Sequence, residues 1–262
     1  MSAQPMALTD HLSELRTRLL RSILWLALAA VIAWLAFQPL WDWLIAPYQD
    51  AVLKLDPTGQ MPGLAVRTAQ DGILAMFRVA IGGALIFASP LVLAECWGFV
   101  APGLTDAERR VSGPVLPAAG LLFFVGAAFA YYILFPPMLW YLLMTSTKQL
   151  HLQLVVDVSQ YLSLLINIMV ALGAAFEIPV LTFMLAKIGL VTAAMLNKYR
   201  RHAIVGAAIL GAIITPTPDA FNMMLMALPI YLLYECSVLV AWIAGPKATV
   251  NTRTPSGGLT PR

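Results

Sequence analysis

The chain has 262 residues, 60% of them hydrophobic and 11% charged, with a formal net charge of +3. A soluble domain is about 25% charged and at most about 50% apolar, so this composition excludes an ordinary soluble fold and describes an all-α, polytopic integral membrane protein. The small net charge points to no nucleic-acid partner. Cys96 and Cys236 lie far apart and form neither a Cys-x-x-Cys pair nor a metal site.

Residues 1–7 read as a loose tail. Leu8, Leu12, Leu15 and Leu19 then recur at helical spacing, so an amphipathic lead-in helix over 8–21, capped at Thr9 or Asp10, runs into a first span at about 22–37. Arg16, Arg18 and Arg21 before an apolar run look like a secretory signal. Gln38-Pro39-Leu40-Trp41 offers no small-residue cleavage site, however, and the segment is kept as a span. Pro39, Pro47, Pro57, Pro62 and four aspartates make Gln38 to Asp71 an external segment, partly structured around Trp41 and Trp43. A second span at about 72–94 holds Gly82-Gly83 and Pro90, which read as kink sites.

The third span, about 111–144, is longer than a bilayer needs. The fourth, about 161–186, contains Glu177 and Pro179, and a basic connector with Lys198, Arg200 and Arg201 follows. The fifth, 203–214, is stopped by Thr215-Pro216-Thr217-Pro218. At about 1.5 Å per residue it reaches roughly 18 Å, well under the roughly 30 Å of the hydrocarbon layer. The sixth, about 219–243 with Asp219 as N-cap, is expected to be short as well. Residues 245–262, rich in Pro, Thr, Ser and Gly, read as a disordered cytoplasmic tail. The organisation is thus one membrane domain over 1–244 with six transmembrane helices. Lys54, Arg67, Arg78 and Lys148 fall on one side and the other twelve of the sixteen basic residues on the other. This puts both termini in the cytoplasm.

Three places carry candidate chemistry. In Trp97 to Arg110, a short polar connector, Thr105 and Glu108 have capping-box spacing and Arg109 and Arg110 suit the headgroup level; Glu108 is either a cap or part of a site. Glu14, on the same cytoplasmic face, either pairs with Arg18 at i, i+4 or joins Glu108 in holding guanidinium groups, for which carboxylates are the bidentate partner. Glu177 lies roughly 15 Å into its span. Charged and facing lipid it would cost at least about 2.5 kcal/mol, so it faces a cavity, pairs, or stays protonated. Glu235 sits near the cytoplasmic end of the last span as an interfacial acid. No Gly-rich phosphate loop, Gly-x-Ser-x-Gly or His-Glu-x-x-His occurs, which argues against an enzyme, and no cofactor is implied.

The motifs His11-Leu-Ser-Glu14-Leu-Arg16, Trp97-x-Phe99-x-x-Pro102-Gly103-Leu104-x-x-x-Glu108-Arg109-Arg110, Phe176-Glu177-x-Pro179 and Thr215-Pro-Thr-Pro-Asp219 resemble those of the TatC family of the twin-arginine translocase, in order and over nearly the whole chain. The resemblance implies a multi-pass protein of the bacterial inner membrane that binds the twin-arginine signal peptides of folded cargo at its cytoplasmic face. It implies assembly with TatA- and TatB-type single-span partners and with further copies of itself, for export driven by the protonmotive force. By the same resemblance Glu14 and Glu108 contact the arginines, with Arg16, Phe99 and Leu104 in that surface. Glu177, Pro179, Asp219 and Glu235 are then partner or intramembrane positions, and Pro47 lies in an external cap. Ala107 and Asn222 stand where relatives carry a polar or basic residue and a serine. The competing readings are a proton-coupled secondary transporter with Glu177 as carrier and a scaffold for single-span helices.

Overall fold

The computed structural model of the protein describes residues 8–56, 63–100, 115–149, 155–215 and 219–245. These are almost entirely helical. Helix α1 (Leu8–Leu35) joins lead-in and first span without a break, and Thr9 and Asp10 lie inside it rather than at a cap. Its leucine stripe is left largely uncovered by the described residues, with Leu12, Leu15 and Leu19 all exposed. In a bilayer that stripe meets lipid, which is as apolar as leucine, so burial against protein adds little.

The segment after the first span is more ordered than its prolines suggest, since α2 spans Phe37–Leu55. Pro39 falls in its first turn, where a missing N–H costs nothing. Pro47 lies in its interior, buried, and removes the donor that would bond the Trp43 carbonyl. The fold supplies another, because the Tyr131 hydroxyl donates to the Trp43 carbonyl and the two rings stack with centroids 4.1 Å apart. One residue on, the Tyr161 hydroxyl donates to the Leu44 carbonyl at 2.7 Å. Those bonds seat α2 across the end of the bundle.

Helices α3 (Asp71–Phe87) and α4 (Ser89–Val100) form one span bent by 49°. The bend falls at Ala88, just ahead of Pro90, as expected for backbone that precedes a proline. The buried Ser89 hydroxyl donates to the Ile86 carbonyl at 2.7 Å across it. Gly82 and Gly83 do not make the kink. They are points of close approach, where an added Cβ would meet Ile166 at 2.7 Å and Ala33 at 3.0 Å.

The third span is a helical rod, α5 (Val115–Phe129) and α6 (Phe135–Met144), joined by a π-helical stretch at Ala130–Leu134 and extended by another at Thr145–Gln149. Pro136 and Pro137 have no N–H for the preceding turn, and the widened turn absorbs that mismatch. Helices α7 (Val158–Phe176) and α8 (Ile178–Lys187) make the fourth span, broken at Glu177 so that Pro179 falls in the first turn of α8. Asp157 caps α7 by accepting from Gln160 N–H at 3.0 Å. The segment before it bridges Ala65, in the connector ahead of α3, through Ala65 N–H to Val156 and Val158 N–H to Ala65, while Arg67 reaches Asp157 at 3.3 Å.

Gly189, with φ of 76°, ends α8 with the 6→1 bond from Leu190 N–H to Leu185. Short α9 (Ala193–Lys198) follows, capped by the Thr192 hydroxyl. The last pair is α10 (Arg200–Ile214) and α11 (Ala220–Ala244). Only α10 is short, 15 residues or roughly 22 Å. The expectation that the sixth span is short too is not met, because α11 has 25 residues and suffices to cross a membrane despite Pro229. The two approach closely at Gly211, where a Cβ would lie 2.8 Å from the Met223 carbonyl.

The core lies between α3, α5, α6 and α7, around Val79, Phe135, Met138, Leu162, Leu165, Met169 and Leu172. Arg78 ties α3 to α7 by donating to the Ser159 carbonyl and, at 2.7 Å, to the Ser163 hydroxyl. Cys96 and Cys236 are exposed and unbridged.

Candidate functional site

At the end of the bundle formed by the first half of α1 and the second half of α4, three charged side chains meet. The intrahelical pair anticipated for Glu14 forms, with Arg18 Nε and Nη2 both donating to Glu14 Oε1, at 3.0 and 2.8 Å. The guanidinium also extends its Nη1 to Glu95 Oε2 of α4 at 3.4 Å. Glu14, Arg18 and Glu95 have side-chain exposures of 22%, 25% and 15%, so the cluster is partly desolvated. It borders a recess of about 270 Å³ lined by Ser13, Glu14, Thr17, Arg18 and Arg21. Arg18 lies flat against α4 because residue 98 is glycine. A Cβ there would fall 1.9 Å from Nη1 and 2.6 Å from Cζ. Phe99 is half-buried one turn beyond Glu95 on the same face of α4, and Arg16 is exposed on α1.

Leu104 and Glu108 lie outside the described residues, as do Pro102, Gly103, Arg109 and Arg110. Glu95 is the residue that sequence reasoning passes over. A span ended at Ala94 turns it into the first polar residue of a connector, whereas α4 continues to Val100 and keeps it in the helix. The available signal was its i, i+4 spacing to Phe99.

Glu177 marks the break between α7 and α8. It is 5% exposed, and its Oε1 has no hydrogen-bond partner among the described residues. Its backbone N–H bonds the Ala174 carbonyl at 3.1 Å and its carbonyl accepts from Leu181 at 2.9 Å. The crossing beside it is tight, since a Cβ on Gly126 would lie 2.8 Å from both the Leu172 carbonyl and the Phe176 ring. The carboxyl is thus covered by this chain.

The other two candidate acids are used within the chain. Asp219 caps α11 by accepting from Asn222 N–H at 2.7 Å and from Asn222 Nδ2 at 2.9 Å, with Asn222 fully buried. Glu235 pairs with Arg200 at 2.7 Å and accepts from the Tyr231 hydroxyl at 2.6 Å, pinning α10 to α11. Pro47 lies buried inside α2, one turn after Trp43.

Residues 10–229 match the family model described as Sec-independent protein translocase protein (TatC). The chain belongs to the TatC family. A Sec-independent protein translocase protein TatC from Azotobacter chroococcum mcd 1 is 37% identical over 237 residues, covering 90% of this chain and 89% of the relative. That of Aquifex aeolicus is 35% identical over 242 residues, covering 92% and 97%. A crystal structure of the twin arginine translocase receptor TatC superposes with a TM-score of 0.77 at 35% identity, over 89% of this chain and 99% of that one. A second, in DDM, gives 0.78 at 34% identity, over 88% and 99%. As a TatC protein the chain is a non-enzymatic component of a protein translocase, a multi-pass membrane protein whose fold is the six-helix one, acting with other membrane proteins of that translocase. The reading of the chain as a proton-coupled transporter gives way to this one.

Proposed function

We propose that this TatC protein is the receptor component that binds twin-arginine signal peptides of folded cargo at its cytoplasmic face, with both termini on that side of the bacterial inner membrane. Glu14 and Glu108 take the two arginines, and Arg16, Phe99 and Leu104 complete the surface. The observation that carries the reading is that Glu14 already holds a guanidinium through two N–H donors in a partly desolvated position. A carboxylate so placed binds the planar, always-charged guanidinium better than an ammonium. Lys cannot reproduce the two-donor contact, so a twin-lysine peptide binds more weakly.

TatA- and TatB-type single-span helices dock on the intramembrane side, near Glu177, Pro179, Asp219 and Glu235, and further copies associate in the receptor. Transport is driven by the protonmotive force. Pro47 stiffens an external cap. Residues 1–244 act as one membrane domain with a cytoplasmic tail after it.

The test is crosslinking of a twin-arginine signal peptide to the wild-type protein in membranes, beside Glu14→Ala, Glu108→Ala and Glu177→Ala at matched protein levels. Capture falls in the first two variants and persists in the third, in which partner docking or transport fails. Equal capture of a twin-lysine peptide by the wild type would overturn the paired-carboxylate reading.

A further inference from the structure

We infer that Arg18 is a resident ligand of the signal-binding site, occupying Glu14 until an incoming arginine displaces it, and that Glu95 is a further residue of the site, which receives Arg18 when it is displaced. The inference rests on the receptor reading above and adds a competing cation and a third carboxylate to it.

The geometry is that of an exchange caught at its start. Arg18 gives its two closest bonds, 3.0 and 2.8 Å, to one oxygen of Glu14, and a third, longer contact of 3.4 Å to Glu95. A small rotation about the outer bonds of the Arg18 side chain carries the guanidinium from Glu14 towards Glu95 while keeping it paired. Among the described residues Arg18 alone is paired with these two carboxylates, which leaves acceptor capacity for a second guanidinium. Once an arginine from outside sits on Glu14 and Arg18 on Glu95, both carboxylates are paired and no half-buried charge is stranded. Without Glu95, displacing Arg18 would leave its charge in a partly desolvated place with no counterion among the described residues, which is costly. Helix pairing alone does not account for the arrangement, since an i, i+4 pair on α1 needs neither a carboxylate on α4 nor a glycine at 98.

Gly98 is the independent observation. The guanidinium occupies the volume of the missing side chain, and the atoms that a Cβ would strike are its mobile end, Nη1 and Cζ. Gly98→Ala therefore evicts Arg18 from its place on α4 without altering any charge of the cluster. This separates the competitor's position from the electrostatics of the site.

The experiment measures equilibrium binding of a fluorescent twin-arginine peptide, with a twin-lysine peptide as control, to the full-length protein in nanodiscs. Wild type, Arg18→Gln, Gly98→Ala and Glu95→Gln are compared, with thermal unfolding of each as the check on folding. Arg18→Gln is expected to bind about fivefold more tightly, the worth of one half-exposed ion pair. Glu95→Gln and Gly98→Ala are each expected to bind about fivefold more weakly, because Arg18 then has only Glu14. Unchanged or weaker binding in Arg18→Gln, with wild-type melting, overturns the displacement, and unchanged or tighter binding in Gly98→Ala overturns the seat on α4. Unchanged binding in Glu95→Gln removes Glu95 from the site. Absence of binding in the wild type is the failure of the receptor reading itself, and the inference falls with it.

Discussion

The α5–α7 half of the molecule and its α1 rim are held by different physics. In the most apolar stretch of the span Pro117–Thr147, 50% of the residues are buried in the protein, against 6% in that of α1, although the two are almost equally hydrophobic. Hydropathy places both in the membrane and does not distinguish them. Lipid covers the outer face of α1, while its inner face lies along α3 and α4, with Arg18 on Glu95, Trp34 against Phe77 and Ala33 against Gly83. The α5–α7 half depends on close packing that tolerates no added volume. The rim, covered on one side by lipid, exchanges partners more readily than the core, and of the signal-binding candidates Glu14 and Arg16 lie on it.

The largest expected effect is in the core. Gly126→Leu would drive a side chain into the Leu172 carbonyl, backbone that cannot give way, and should cost more than about 3 kcal/mol, the upper end of overpacking. Recovery of little monodisperse protein from membranes is the readout. Leu172→Ala should cost about 2–3 kcal/mol, at the low end for a core leucine because lipid also solvates the unfolded helices. Denaturant titration in mixed micelles checks it. Tyr131→Phe strands the carbonyl that Pro47 leaves open and should cost about 1–2 kcal/mol, read in the same titration. Arg200→Gln, on the rim, should cost at most about 1 kcal/mol and less at high salt, since the Arg200–Glu235 pair is half exposed. Leu24→Ala, on the lipid side of α1, should stay within about 0.5 kcal/mol. If Leu24→Ala cost as much as Leu172→Ala, the contrast between rim and core would be wrong.

Much was legible where one residue type has one physical use. Asp219 caps α11 as its identity and position predicted, Pro179 opens a helix, and the Thr215 region ends a span that is too short. Helix α2 was less legible, because Pro47 argues against a helix until the hydroxyl of Tyr131, far along the chain, replaces its missing bond. Gly82 and Gly83 read along the chain as flexibility when their use is contact, and a glycine's reason lies in whichever neighbour fills its space. Of the candidate site, Glu14 was legible from its helix and its charge. Glu95 was not, because an acid at the edge of an apolar run acquires meaning only from what it faces.

By itself, then, the sequence determined the membrane, the helices and the family, since hydrophobicity, caps and ordered motifs are local and read along one dimension. Only the tertiary structure decided that Arg18 lies between Glu14 and Glu95 over Gly98, that Glu177 is covered, and that Glu235 belongs to Arg200. Those facts are distances between side chains on different helices. No pattern along the chain encodes them, because in a bilayer apolar faces pack on protein and lipid almost equally well.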